Sequence, residues 1–175
     1  KDIEFSENPL PNFTQLSKRC ASGFLSVPVI GAGTVNSEFE MLTGMNIDDF
    51  GIGEYPYKTV LKEKTCESLA YNLKSYGYKA YAVHDHEGSF YERNLVYPNL
   101  GFDVFDSVEY MWPEDYTAME WSKDSVLTGE IEKALSATAE KDFVFAVAVQ
   151  SHGSYPSEPD VEYEHHVTAT SSVIE

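Results

Sequence analysis

The chain has 175 residues, with 12 Lys and Arg against 29 Asp and Glu, a net charge of −17, and a composition 42% hydrophobic and 14% aromatic. That suits one domain, or most of one, with a real core. The acidity argues against nucleic acid, whose phosphates need clustered Lys and Arg, and it disfavours broad docking on an anionic lipid surface. No stretch approaches the roughly eighteen apolar residues that a membrane-spanning helix needs.

The chain opens at Lys1-Asp2-Ile3-Glu4 without a signal peptide and stops in Ser171-Ser172-Val173-Ile174-Glu175 without a clear terminal element, so it reads as a piece of a longer protein. Pro11 suits a helix start, with Phe13, Leu16 and Cys20 on one face and Gly23 as a stop. Residues 24–30 read as a strand, with Pro28 marking an edge or an end. Gly31-Ala32-Gly33-Thr34 then bends into a helix that runs to about Gly44 with Phe39 and Leu42 inward.

Residues 45–64 are loop-like. Thr65 to Tyr76 reads as a helix with an apolar stripe of Cys66, Leu69, Ala70, Leu73 and Tyr76, capped by Thr65 and stopped by Gly77. The two cysteines, Cys20 and Cys66, are too few for a disulfide framework and read as buried free thiols. Tyr78 to Val83 is a strand. Residues 84–101 suit a functional loop with a helical turn, and 102–105 a short strand. The acidic and aromatic stretch 107–123, with Trp112 and Trp121, has no readable pattern.

Asp124 to Ala139 reads as a helix with Leu127, Ile131, Ala134 and Leu135 inward. The unbroken apolar run Phe143 to Val149 suits a central parallel strand covered on both faces. Strands alternating with helices give an α/β fold with a mostly parallel sheet.

Ligands in such sheets bind beyond the carboxyl ends of the strands. Thr34, His84 and His152 each follow one of the predicted strands. Thr34 is a nucleophile candidate in a Gly-rich bend before a helix, although the same pattern also serves as an ordinary capped turn. His84 and His86 form His-x-His, able to face one ligand or metal, although two loop histidines beside Asp85 and Glu87 would read the same. Arg93 suits an anionic oxygen and Tyr91 a sugar or glycerol unit. Glu164-His165-His166 is metal-like by residue type but lies in a polar tail.

Several segments together resemble the lipoteichoic acid synthase family, sulfatase-like members of the alkaline phosphatase superfamily. They are Pro11-Asn12-Phe13, Gly33-Thr34-Val35-Asn36-Ser37-Glu38-Phe39, Tyr55-Pro56-Tyr57-Lys58, Gly77 to His84, Gly88-Ser89-Phe90-Tyr91-Glu92-Arg93, Tyr97-Pro98-Asn99 and Ser151-His152-Gly153. The match runs from about residue 9 to 156 in family order. The resemblance implies an alkaline phosphatase/sulfatase-like α/β domain spanning residues 1–175 and incomplete at both ends. It also implies a bacterial membrane protein, anchored through an N-terminal region outside this chain, with an extracellular catalytic domain.

The implied reaction moves phosphoglycerol from phosphatidylglycerol to a glycerol-phosphate polymer or glycolipid, with manganese as the usual metal. Thr34 matches the nucleophile and metal ligand, and His84, Tyr91, Arg93 and His152 match residues that hold the phosphoglycerol group. The family's metal-binding Glu and its Asp-His pair have no counterpart between Lys1 and Glu175, so the chain alone is expected to be inactive and to bind manganese weakly. A phosphodiesterase or sulfatase-type hydrolase on the same scaffold and a catalytically dead extracellular binding domain are the alternatives. A classical sulfatase is disfavoured, because Thr34 cannot give the formylglycine made from Cys or Ser.

Overall fold

The computed structural model describes residues 3–29, 32–139, 141–153 and 167–171. In chain order the elements are β1 (Ile3–Phe5), α1 (Pro11–Arg19), α2 (Thr34–Thr43), α3 (Pro56–Thr59), α4 (Leu69–Lys74), β2 (Tyr78–His84), α5 (Arg93–Asn99), β3 (Val104–Ser107), α6 (Ser125–Leu135), β4 (Lys141–Val147) and β5 (Ala169–Ser171). They fall into two compact units, residues 1–26 with 157–175, and residues 27–156.

In the first unit β1 pairs antiparallel with β5, Glu4 opposite Thr170. Helix α1 starts with Pro11 at its first turn and ends with Lys18 and Arg19, whose charge suits a helix C-terminus. None of its residues is buried, and Phe13 and Leu16 are exposed. The expected stripe is present, but periodicity specifies an apolar face and not the partner that would cover it. Cys20, at the helix end, is exposed rather than buried, and it forms no disulfide.

The second unit carries a parallel three-stranded sheet in the order β3-β2-β4. Strand β2 is central, and its two faces feed two clusters. Ala80 and Ala82 join Val35, Phe39, Leu42, Tyr57, Val96, Tyr97 and Leu100 on the side of α2 and α5. Val83 joins Met111 and Leu127 on the side of α6. The alternation of strand side chains sets this division. It also places His84, in phase with Ala80 and Ala82, on the α2/α5 side.

Several expectations need correction. Residues 24–29 form no strand, and Phe24 and Leu25 are exposed; Pro28 has no N–H to offer a ladder. The run 143–149 gives an edge strand of the described sheet, β4, with Phe143, Val144 and Phe145 only half-buried, while the centre belongs to β2. An apolar run alone does not separate these positions.

The helix expected from Thr65 starts at Leu69, because Ser68 is its cap: the Ser68 Oγ accepts from the Tyr71 N–H at 3.3 Å and donates to the Leu100 carbonyl. Cys66 instead donates its N–H to the Asn99 carbonyl at 3.1 Å, and its half-buried thiol is raised by that burial. Helix α6 buries Leu127, Glu130 and Ala134, and Leu135 is exposed. The strand expected at 102–105 begins two residues later. Residues 164–166 lie outside the described residues.

Candidate active site

A cavity of about 610 Å³ opens in the second unit, beyond the carboxyl ends of β2 and β4. Thr34, His84, His86, Tyr91, Arg93, Trp121 and His152 all contribute to its lining. The three residues expected beyond strand ends therefore meet at one place, although the segment before Thr34 is not a strand.

Thr34 is the first residue of α2 and is exposed. Gly33 precedes it in the left-handed region at φ 82°, without a side-chain cap. A Cβ there would lie 3.3 Å from the Tyr55 ring and hydroxyl, so this position favours glycine for both conformation and space. The Thr34 hydroxyl therefore stands at the positive end of a ten-residue helix, where an anion is stabilised.

His84 ends β2 and is 3% exposed. Its Nδ1 donates to the Val147 carbonyl at 2.8 Å, and its Nε2 accepts from Arg93 Nη1 at 3.3 Å. A carbonyl only accepts and a guanidinium only donates, so the ring is the neutral Nδ1–H tautomer. Burial first, and then the Arg93 charge, push its pKa down to about 4; the bond to Val147 works the other way. His84 therefore offers no positive charge to a phosphate at neutral pH. Arg93 is the only Lys or Arg among the described lining residues.

Arg93 begins α5 and is 2% exposed. Glu38, one turn after Thr34 on α2, takes Arg93 Nη2 on Oε1 at 2.5 Å and Nε on Oε2 at 3.3 Å. Tyr97 donates its hydroxyl to the same Oε2 at 3.0 Å. Burial works against the Arg93 charge, and the Glu38 bonds more than offset it. Tyr91 reaches the cavity from strained backbone: Tyr91 and Glu92 both adopt positive φ, 59° and 60°. Its ring stacks on Tyr55 at 5.8 Å and lies 5.5 Å from the Arg93 guanidinium carbon.

The opposite wall is looser. His152 is exposed, and its Nδ1 contacts the Gly153 carbonyl. Trp121 lies between two imidazoles, 5.3 Å from His86 and 5.1 Å from His152. It is brought there by Ser122, whose Oγ donates to the Asp85 carbonyl, and by the Tyr116–Ser122 bridge. Sequence reasoning missed both Trp121 and Glu38. Nothing in 107–123 signalled the first, whereas the second stood four residues after Thr34, on the same helix face.

The described residues contain no group of three or more His, Cys, Asp or Glu able to hold a metal. Thr34 supplies one hydroxyl oxygen and no neighbouring ligand set, so the described residues do not fit a complete cation site.

A sulfatase family model matches residues 1–173. A protein of Rhizobium meliloti (strain 1021) named for cyclic beta-1,2-glucan modification is 33% identical over 153 residues, covering 87% of this chain and 23% of that protein. Among solved structures, the Streptococcus pyogenes phosphoglycerol transferase GacH, in complex with sn-glycerol-1-phosphate, is 21% identical with a TM-score of 0.76, covering 100% of this chain and 45% of that one. Lipoteichoic acid synthase LtaP of Listeria monocytogenes is 23% identical with a TM-score of 0.62, covering 72% of this chain and 30% of that one. At these identities the two structures show the fold alone. The chain spans about a quarter of the length of the curated relative.

Proposed function

This chain belongs to the sulfatase family, and we propose that it carries the nucleophile and the phosphoglycerol pocket of a phosphoglycerol transferase. The observation that carries this reading is the single cavity shared by Thr34, Arg93, His84 and His152, with Thr34 at a helix N-terminus. In the first step the Thr34 Oγ1–phosphorus bond forms and the phosphorus–oxygen bond to diacylglycerol breaks. The Thr34 proton ends on the departing alcohol. In the second step an acceptor hydroxyl attacks the phosphoglycerol-Thr34 ester and restores the threonine.

Arg93 supplies the positive charge beside the phosphate. His84, neutral and held at both nitrogens, orients rather than neutralises. Tyr91 and His152 border the glycerol unit. The proposed donor is phosphatidylglycerol and the proposed acceptor a glycerol-phosphate polymer or glycolipid. The relative named for cyclic beta-1,2-glucan modification supports a saccharide hydroxyl among the acceptors. No helix of the described residues is long and apolar enough to cross a membrane, and the proposed setting is an extracellular domain anchored at the bacterial membrane by another part of the whole protein.

Manganese, or another divalent cation, belongs to this proposal for the whole protein. The chain alone is expected to bind it weakly, and calorimetry showing tight stoichiometric binding would contradict that. The reaction is tested with the whole protein and phosphatidylglycerol labelled in its terminal glycerol. Transfer gives diacylglycerol together with label on the acceptor. Label released only as free glycerol phosphate would instead support the hydrolase reading.

A further inference from the structure

Glu38 is 3% exposed and takes no part in lining the cavity, so it does not touch a substrate. Both of its oxygens are occupied, Oε1 by Arg93 Nη2, and Oε2 by Arg93 Nε and the Tyr97 hydroxyl. It is therefore neither a free base nor a free ligand. Arg93 in turn uses Nη1 on His84 Nε2 at 3.3 Å and on the Phe90 carbonyl at 3.2 Å. Four of the five guanidinium N–H groups are accounted for by these bonds. The fork edge that would clasp a phosphate with two parallel bonds already clasps Glu38.

Burying two charges is costly, and apolar side chains of similar volume would fill the same space more cheaply. What the ion pair adds is geometry. Glu38 stands one turn beyond Thr34 on α2, Arg93 opens α5, and His84 closes β2. The chain of bonds runs from the nucleophile's helix to the strand end and on to the Val147 carbonyl.

We propose that Glu38 is a positioning residue for phosphoglycerol transfer: by gripping Arg93 from the helix that begins with Thr34, it fixes the Arg93 charge and the His84 ring relative to the nucleophile. The inference rests on the role proposed for Thr34, and it separates this carboxylate from the groups that meet substrate. Arg93 then acts as a fixed charge with at most one N–H left for a ligand oxygen among the described residues. Lysine, which lacks the fork, cannot make the same grip.

The test uses the whole protein with Glu38→Gln, Glu38→Asp, Arg93→Lys and the double variant Glu38→Gln/Arg93→Lys, each assayed well below its own Tm. Glu38→Gln keeps the size, and Glu38→Asp keeps the charge but shortens the reach. The expected result is a loss of about 10- to 100-fold in donor kcat/KM for either Glu38 variant, with the KM for acceptor unchanged. The double variant should be no slower than Arg93→Lys alone, because Glu38 acts only through Arg93.

Formation of the Thr34 adduct should slow by the same factor in Glu38→Gln. Wild-type kcat/KM in a folded Glu38→Gln would overturn the proposal, as would losses that multiply in the double variant. So would losses that track only the unfolded fraction, or Glu38 variants that do not fold at all, which assign the residue to stability. Absence of a Thr34 adduct in the wild-type protein is a different failure, one that strikes the nucleophile itself.

Discussion

At one wall of the cavity the lining residues Arg93 and His84 join Glu38 and Tyr97 behind them in one chain of hydrogen bonds, each of the four at most 3% exposed. On the other, His152 is exposed and meets Trp121 through ring contact at 5.1 Å. A group held by several buried bonds contributes to stability as well as to the site, whereas an exposed group held by few contributes little to stability. The first wall thus ties chemistry to stability, and the second allows chemistry to be altered alone.

The widest gap between the walls should come from Arg93→Ala. It leaves the Glu38 carboxylate buried without its cation and should lower stability by about 3–5 kcal/mol, read as a fall in Tm or in the urea midpoint. A loss near zero would show that the wall relaxes and is not fixed by this pair.

The next largest effect is one of pH. His84 titrates near 6.5 when unfolded and about 4 when folded, so between those values the unfolded chain binds more protons. Stability from this group is complete above pH 6.5 and is lost as pH falls toward 4, by about 3 kcal/mol. Asp85, next in sequence and also buried, runs the other way. Burial raises its carboxyl from 3.8 to about 6, so the folded chain binds more protons in that window and stability from Asp85 falls as pH rises through it. The two contributions oppose each other between about pH 4 and 6. Asp85→Asn removes one of them, and should raise stability at pH 7 while making its loss on acidification steeper. Urea titrations of both proteins across that range measure this, and parallel profiles would contradict it.

A smaller effect is expected at Gly33, beside Thr34. Gly33→Ala puts a Cβ into left-handed backbone and 3.3 Å from Tyr55, at about 1–2 kcal/mol. A neutral Tm would mean that the bend relaxes. The smallest stability effect belongs to the looser wall: His152→Ala should change folding by no more than about 0.5 kcal/mol, yet reduce transfer by the whole protein at least tenfold. A variant that loses Tm and activity together would erase the distinction between the walls.

The sequence made much of this site legible. The run Tyr78 to Val83, the helix after Gly33 and the polar residues beyond strand ends were readable because each signal is local. The partnership of Glu38 with Arg93 was not, since 55 residues separate them and only tertiary packing joins them. The contribution of Trp121 was hidden for a related reason: its segment is held by irregular turn bonds, such as the Thr117 N–H on the Trp121 carbonyl at 2.8 Å, and by Ser122 on the Asp85 carbonyl, not by a repeating pattern. The edge position of β4 in the described sheet escaped because Phe143 and Phe145 pack toward Phe102 and Tyr97 on one face while Val144 packs toward Val83 on the other. That produces the same apolar run as a fully covered strand.

The central claim is that Thr34 accepts the phosphoglycerol group, and mass spectrometry of the whole protein after brief exposure to phosphatidylglycerol tests it most directly. The expected result is a phosphoglycerol mass added to the peptide that contains Thr34, absent in Thr34→Ala, which should also lose transfer by about 10⁴-fold or more. An unmodified peptide in the wild-type protein, together with full transfer activity in Thr34→Ala, would contradict it.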